Sequence, residues 1–138
     1  MNKFDLEERL INFAVIIVEI VESMPHSRAA NHLADQLLRS GTSPALNYGE
    51  AQGGESRRDF MHKIKIALKE LRESHICSKI IFRSKLFSSE EKILSAMKEN
   101  NELISIFVKS AETAQKTAKA LWAFERDSVK AEGIEAKI

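Results

Sequence analysis

Four histidines, one cysteine and a scatter of carboxylates are the residues of this 138-residue chain that could hold a metal or move a proton. His26, His32, His62 and His75 offer no pair at metal-ligand spacing with a cysteine or carboxylate. A zinc site built on His75 and Cys77 would lack its remaining ligands. Asn47, Glu50 and Glu70 are the most enzyme-like polar residues. Two carboxylates can do acid–base work or share a metal pair, but di-iron bundles use Glu-x-x-His on facing helices. That motif is missing here, and the five glycines spell no phosphate-binding loop. The reading is therefore of no catalytic residue, no metal, no cofactor and no small-molecule substrate.

A second set of residues points to binding rather than catalysis. The net charge of +1 conceals segregation: residues 1–56 sum to −4, residues 57–85 to +6 and residues 86–138 to −1. Within the basic segment, Arg58, His62, Lys65, Lys69, Arg72, Lys79 and Arg83 keep a four-three spacing that places them on one helical face, nearly opposite the apolar one. Arg58, Lys65, Lys69, Arg72, Lys79 and Arg83 are the candidate phosphate contacts for RNA or DNA. No aromatic residue interleaves with them, so the stacking signature of single-strand binders is missing. Two other readings compete. The face could be solvated and locally paired, Asp59 with Lys63 and Lys69 with Glu73. It could also meet the acids Glu7, Glu8, Glu19 and Glu22 of another subunit.

The elements that carry these residues must be long. At 43% hydrophobic and 30% charged residues, the composition is that of a globular domain, and five glycines with two prolines leave little punctuation for a many-stranded sheet. The lone Cys77 excludes an internal disulfide and fits a reducing compartment. The first ten residues carry acids where a signal peptide needs bases. The apolar run 13–18 stops at Glu19, far short of the roughly 20 residues of a membrane span. A cytoplasmic protein without membrane contact is expected.

Four helices are predicted over about 5–23, 27–52, 56–86 and 89–124, a bundle domain over 1–125 followed by an extension over 126–138. The first opens on a capping box, Asp5 with Glu8. Its seam is Leu6, Leu10, Phe13, Ile17, Ile20 and Met24. A second apolar row, Ile11, Ala14, Val18 and Val21, widens the apolar face to roughly 200°, twice a normal bundle stripe. Either the helix is deeply buried within one chain or the row meets another copy. A four-helix monomer has no helix to spare, so Ile11, Ala14 and Val18 are the expected homo-oligomer interface.

In the second helix Gly41-Thr42-Ser43-Pro44 reads as a break, a kink or a fresh start. One kinked helix ended by Gly53-Gly54 is expected. The third helix is capped by Ser56 with Asp59 three residues on, and buries Phe60, Ile64, Ala67, Leu71, Ser74, Ser78 and Ile81. The fourth opens on Ser88 and Glu91 with the seam Ile93, Met97, Asn100, Ile104, Phe107, Ala111, Ala114, Ala118 and Leu121. A lone asparagine in such a seam fixes register or oligomer state. Short connections between four helices give an all-α, antiparallel up-down-up-down bundle.

The stretch 39–74 also carries a resemblance. Arg39 and Ser40, Ser43 to Asn47, Glu50 and Ala51, Ser56, Asp59 with Phe60, and Ile66-Ala67-Leu68-Lys69-Glu70 resemble the signature of the four helix bundle proteins known as the 23S rRNA intervening-sequence protein family. Weaker apolar matches extend it over about residues 5–120. The resemblance implies a left-handed antiparallel four-helix bundle assembled as a ring, commonly a pentamer. A similar bundle serves diversity-generating retroelements as a nucleic-acid-binding ring. No catalytic mechanism comes with the family, and Arg39, Asn47, Glu50, Asp59, Phe60 and Glu70 are read as structural. The chain carries Gly41-Thr42, Gly53-Gly54 and a Pro44 that many relatives replace. The expected protein is a non-enzymatic oligomeric bundle that binds nucleic acid through its third helix; the alternative is a protein-interaction scaffold.

Overall fold

Asn2 decides where the first helix starts. Its side chain accepts the Asp5 N–H at 3.0 Å, and the Asp5 carboxylate accepts the Asn2 N–H at 3.4 Å. Asp5 is therefore the far member of a capping box, not its first residue, and α1 spans Lys3–Glu22. The computed structural model describes residues 2–53 and 56–137, with the side chains of residues 2, 5–53 and 56–128. All six seam residues of α1, Leu6 to Met24, are buried.

α2 spans Arg28–Gln52, with the Ser27 hydroxyl accepting the Ala30 N–H at 3.1 Å. It passes through Pro44 as one helix. Two of the four residues that suggested a break, Gly41 and Pro44, are buried packing residues, as is Ser40 before them. A Cβ placed on Gly41 would lie 2.7 Å from Ile17, so glycine here permits the close approach of α1 and α2. Pro44 leaves the helical ladder one donor short. Side chains around it add bonds back to the backbone, Ser40 to the Gln36 carbonyl at 2.8 Å, Thr42 to Leu38 at 2.6 Å and Asn47 to Ser43 at 3.0 Å. At the C-cap, the Gly53 N–H donates to the Glu50 carbonyl at 3.2 Å. Gly54, the second residue of the expected stop, lies outside the described residues.

α3 spans Arg57–Arg83. Its cap is the expected Ser56, whose hydroxyl accepts the Asp59 N–H at 3.1 Å. The buried stripe holds Ile64, Ala67, Leu71, Ser74, Ser78 and Ile81 and adds Cys77, while Phe60 is half-buried. The helix ends short of 86 because Lys85 takes a left-handed φ of 56°. The Leu86 N–H then reaches the Ile81 carbonyl at 3.1 Å and the Lys85 N–H reaches Phe82 at 3.2 Å. This is a Schellman turn with lysine in the place glycine usually takes.

α4 spans Glu90–Lys137 and is capped by Ser89, not Ser88, through the Lys92 N–H at 3.3 Å. At 48 residues it is about 72 Å long, and it runs on through the predicted extension. Its buried residues are Ile93, Ala96, Asn100, Leu103 and Phe107; Met97 and Ile104 are only partly buried. Of the expected seam, Ile93, Asn100 and Phe107 are buried, while Ala96 and Leu103 take the places expected for Met97 and Ile104.

α1 packs side by side with α2 and α4, and α3 with α2 and α4, while among the described residues the backbones of the diagonal pairs, α1 with α3 and α2 with α4, stay more than 8 Å apart and can meet only through side chains. Tyr48 meets Phe107 edge to face with ring centroids 5.8 Å apart. Asn100 is fully buried. Its Oδ1 accepts the Ser74 hydroxyl at 3.0 Å and its Nδ2 donates to the Leu71 carbonyl at 2.9 Å. The seam asparagine therefore registers α3 against α4 inside one chain. Among the described residues there is no strand, and no helix is long and apolar enough to cross a membrane.

Candidate nucleic-acid interface

The outer row of α3 owes its charge to where the acids of that helix go. Glu70 and Glu73 lean toward α2 and share Arg39, at 2.9 and 2.5 Å. The hydrogen bond that Arg39 donates to Glu73 raises the Arg39 pKa above its ordinary value. Burial raises that of Glu70, against the pull of Arg39. Lys63, on the same side of α3, pairs with Glu50 at 2.5 Å. The pairings expected within α3, Asp59 with Lys63 and Lys69 with Glu73, are not the ones formed. Glu19 of α1 is likewise engaged, with Lys92 at 2.8 Å.

What remains on the outside is uncompensated. Arg58, Lys65, Lys69, Arg72 and Arg83 are exposed and Lys79 is half-buried. None of the six has an ion-pair partner among the described residues. Arg57, Arg58, Asp59, Met61, His62 and Lys65 line a groove of about 680 Å³ with Ala118 of α4. Four of these seven residues are arginine, lysine or histidine, against one acid, so the groove suits an anion.

The motif residues build the scaffold beneath this face. Arg39 and Glu70 join α2 to α3, Glu50 does the same through Lys63, the Asp59 N–H takes the Ser56 cap, and Phe60 packs against the core. Asn47 stays within α2, donating to the Ser43 carbonyl and to its hydroxyl at 2.8 Å.

Three features escaped sequence reading. Ile76 and Ile80 are exposed at 54% and 45%, and their four-residue steps from Arg72 put them on the basic face. The row is therefore charged over its first half and mixed with hydrocarbon over its second. There a second groove of about 490 Å³ between α2 and α3 is lined by His32, Leu33, Ile76, Cys77 and Ile80, among others. The second feature is on α1, where Val15 stands exposed beside Ile11 and Val18, while Ala14 is half-buried. The third is on α4, where Trp122 and Phe124 are exposed beyond the last buried seam residue.

Burial pushes the Cys77 thiol up to about 11, and its Sγ donates to the Leu33 carbonyl at 3.4 Å. His75 is lowered by burial and by Lys79, which favours the neutral ring. No group of three or more histidine, cysteine or acidic side chains among the described residues is placed to hold a metal ion.

Four packed helices with this open basic face define an all-α protein of the four-helix class. The chain belongs to the 23S rRNA-intervening sequence protein family, whose model matches residues 2–109. It is similar to a solved structure from Bacteroides thetaiotaomicron, a protein of unknown function from the S23 ribosomal protein family. The two are 28% identical with a TM-score of 0.74, over 81% of this chain and 99% of the other. No curated protein matches the chain.

Proposed function

We propose that this protein is a non-enzymatic, homo-oligomeric bundle that binds RNA, or another nucleic acid, through the outer face of α3. The observation that carries the reading is the row Arg58, Lys65, Lys69 and Arg72, exposed and without ion-pair partners because the neighbouring acids are held by α2. An uncompensated cationic row gains most from a polyanion, whose bound counterions are released on contact. Repeating the row in every subunit of an oligomer multiplies the effect. The exposed Ile11 and Val18, with Ala14 and Val15 beside them, are the surface assigned to self-association, and the family resemblance favours a ring of five. The family's name ties its members to intervening sequences of 23S rRNA, which makes structured RNA the first ligand to try.

Residue pairings support the finer topology. Arg39 meets Glu70 and Glu73 whereas Glu50 meets Lys63, and Arg9 meets Glu99 and Glu102 whereas Glu19 meets Lys92. Numbers that rise on one helix fall on its neighbour, as in an antiparallel up-down-up-down bundle, and the family resemblance favours its left-handed form. A second reading, a protein-interaction scaffold, draws on Ile76 and Ile80, which interrupt the basic row with hydrocarbon. A salt titration of binding to a 23S rRNA fragment separates the two. Affinity falling steeply with salt supports phosphate contacts. Absence of binding at low salt overturns the nucleic-acid reading and leaves the scaffold.

A further inference from the structure

The α4 helix supplies what the basic row lacks. Ala118 lines the groove with Arg57, Arg58, His62 and Lys65. Four residues further along an α-helix, a side chain returns to nearly the same face about 6 Å along the axis. That residue is Trp122, the chain's single tryptophan, 62% exposed. The Arg126 guanidinium, paired with Asp127 at 3.5 Å, lies 5.0 Å from its ring centroid, a cation–π contact that steadies the indole. Phe124 is set roughly 200° further round the helix and is not part of this surface.

The two parts ask for different things. The groove offers arginine and lysine to phosphates, which any nucleic acid provides. The indole offers a flat apolar face, which suits a base not already stacked in a duplex. We propose that the groove and Trp122 form one subsite for an unpaired strand, in which Arg57, Arg58 and Lys65 hold the backbone and a base stacks on the Trp122 indole. The proposal rests on the reading of α3 as a nucleic-acid face and adds to it the strandedness of the ligand.

Because Trp122 is the lone tryptophan, its emission reports on this one position in the full chain. The test titrates the protein with a single-stranded oligoadenylate, a duplex RNA of equal length and dextran sulfate, which has charge but no bases. The single strand is expected to quench the emission, the other two to leave it unchanged. Trp122→Leu should lower single-strand affinity about tenfold and leave dextran sulfate affinity unaltered, and Trp122→Phe should recover most of the loss. Trp122 is exposed, so neither variant threatens the fold. Salt-sensitive binding of the single strand with unchanged emission, and no effect of Trp122→Leu, would overturn the subsite and leave the α3 face standing. Binding of none of the three ligands overturns both. Emission that shifts to the blue as protein concentration rises, without any ligand, places Trp122 against a second copy and also overturns the subsite.

Discussion

On the outer face of α1, Ile11, Val15 and Val18 stand exposed with no base among them; on that of α3, Arg58, Lys65, Lys69 and Arg72 stand exposed with Asp59 the one acid beside them. Both helices bury an apolar stripe of the same period against the same core, so what differs is only what each leaves outside. Hydrocarbon gains when another surface displaces water from it, whereas an ammonium or guanidinium loses hydration unless it meets an anion. Glu7, Glu8 and Glu22 border the α1 row and would repel a phosphate backbone. One bundle can thus assemble through one side and bind through the other, with neither surface competing for the other's ligand.

The most direct way to break this division is to reverse the charge on α3. Lys65→Glu, Lys69→Glu and Arg72→Glu together should reduce RNA affinity on the order of a thousandfold at low salt, as measured by filter binding. The oligomer mass from light scattering should not move. A parallel loss of assembly would mean that the basic row serves the subunit interface. Changing the other face should do the reverse. Val18→Asp places a charge where the self-association surface is assigned, and the expected outcome is a monomer at micromolar concentration. RNA affinity should then drop about a hundredfold through lost multivalency alone. Wild-type protein that is already monomeric would remove the role assigned to α1.

A thiol probe sharpens where the α3 face changes character. Cys77 lies beside Ile76, with its thiol pushed up to about 11 against an ordinary 9.0. Near pH 8 native protein should alkylate about a hundredfold more slowly than the urea-unfolded chain, since two pH units separate the thiolate fractions. The native rate should climb as pH approaches 11. The linked stability has a definite sign: the unfolded thiol ionises first, so the contribution is whole below pH 9.0 and is lost as pH rises through 11. A partner seated on Ile76 and Ile80 would slow the native reaction further, and RNA on the charged half would not.

Much of this division was legible in the sequence, for reasons that particular residues show. The α1 seam and the α3 stripe were readable because helical period and burial coincide there. The basic row was readable because charge segregates along the chain. The isoleucines within that row were harder to place, since Ile76 and Ile80 each have a buried neighbour, Cys77 and Ile81, and apolar residues default to the core. Gly41 and Pro44 left a break, a kink and a fresh start open to local propensity; the single helix expected through them is the one observed, and the close helix contact they occupy is what tertiary packing adds. The α4 seam was read correctly at Ile93, Asn100 and Phe107 and one residue off at Met97 and Ile104, because Ala96 and Leu103 lie beside them at equally helical spacing. Trp122 was in plain view. Its relation to Arg58 and Lys65 depends on which part of α4 passes the start of α3, and spacing alone does not give that.

Both faces depend on helices held at fixed rotation, and the buried Asn100 is the anchor for α3. Asn100→Ala removes both bonds that join α4 to α3 here, the one from the Ser74 hydroxyl and the one to the Leu71 carbonyl, and leaves Ser74 bonded to Leu71 within α3. It should cost about 2 kcal/mol in urea denaturation. Asn100→Asp should cost more, because it puts a charge where no cation is near.

The smallest expected effect concerns the anchor of α1. Arg9 forks onto Glu99 and also reaches Glu102 at 3.0 Å, so it ties α1 to α4 from the edge of the interface. The Glu99 hydrogen bond raises the Arg9 pKa, and burial opposes it. Both partners keep more than a quarter of their side-chain surface in water, at 27% and 29%, so the pair is screened and should contribute only about 0.5 kcal/mol. Arg9→Ala should therefore lower stability slightly in dilute buffer and less in 1 M salt, where the screening length is about 3 Å. A salt-independent loss of about 2 kcal/mol would instead assign the effect to the packed hydrocarbon of the side chain. In that case α1 would be oriented by contact rather than charge, and the outward turn of Ile11, Val15 and Val18 should persist at any ionic strength.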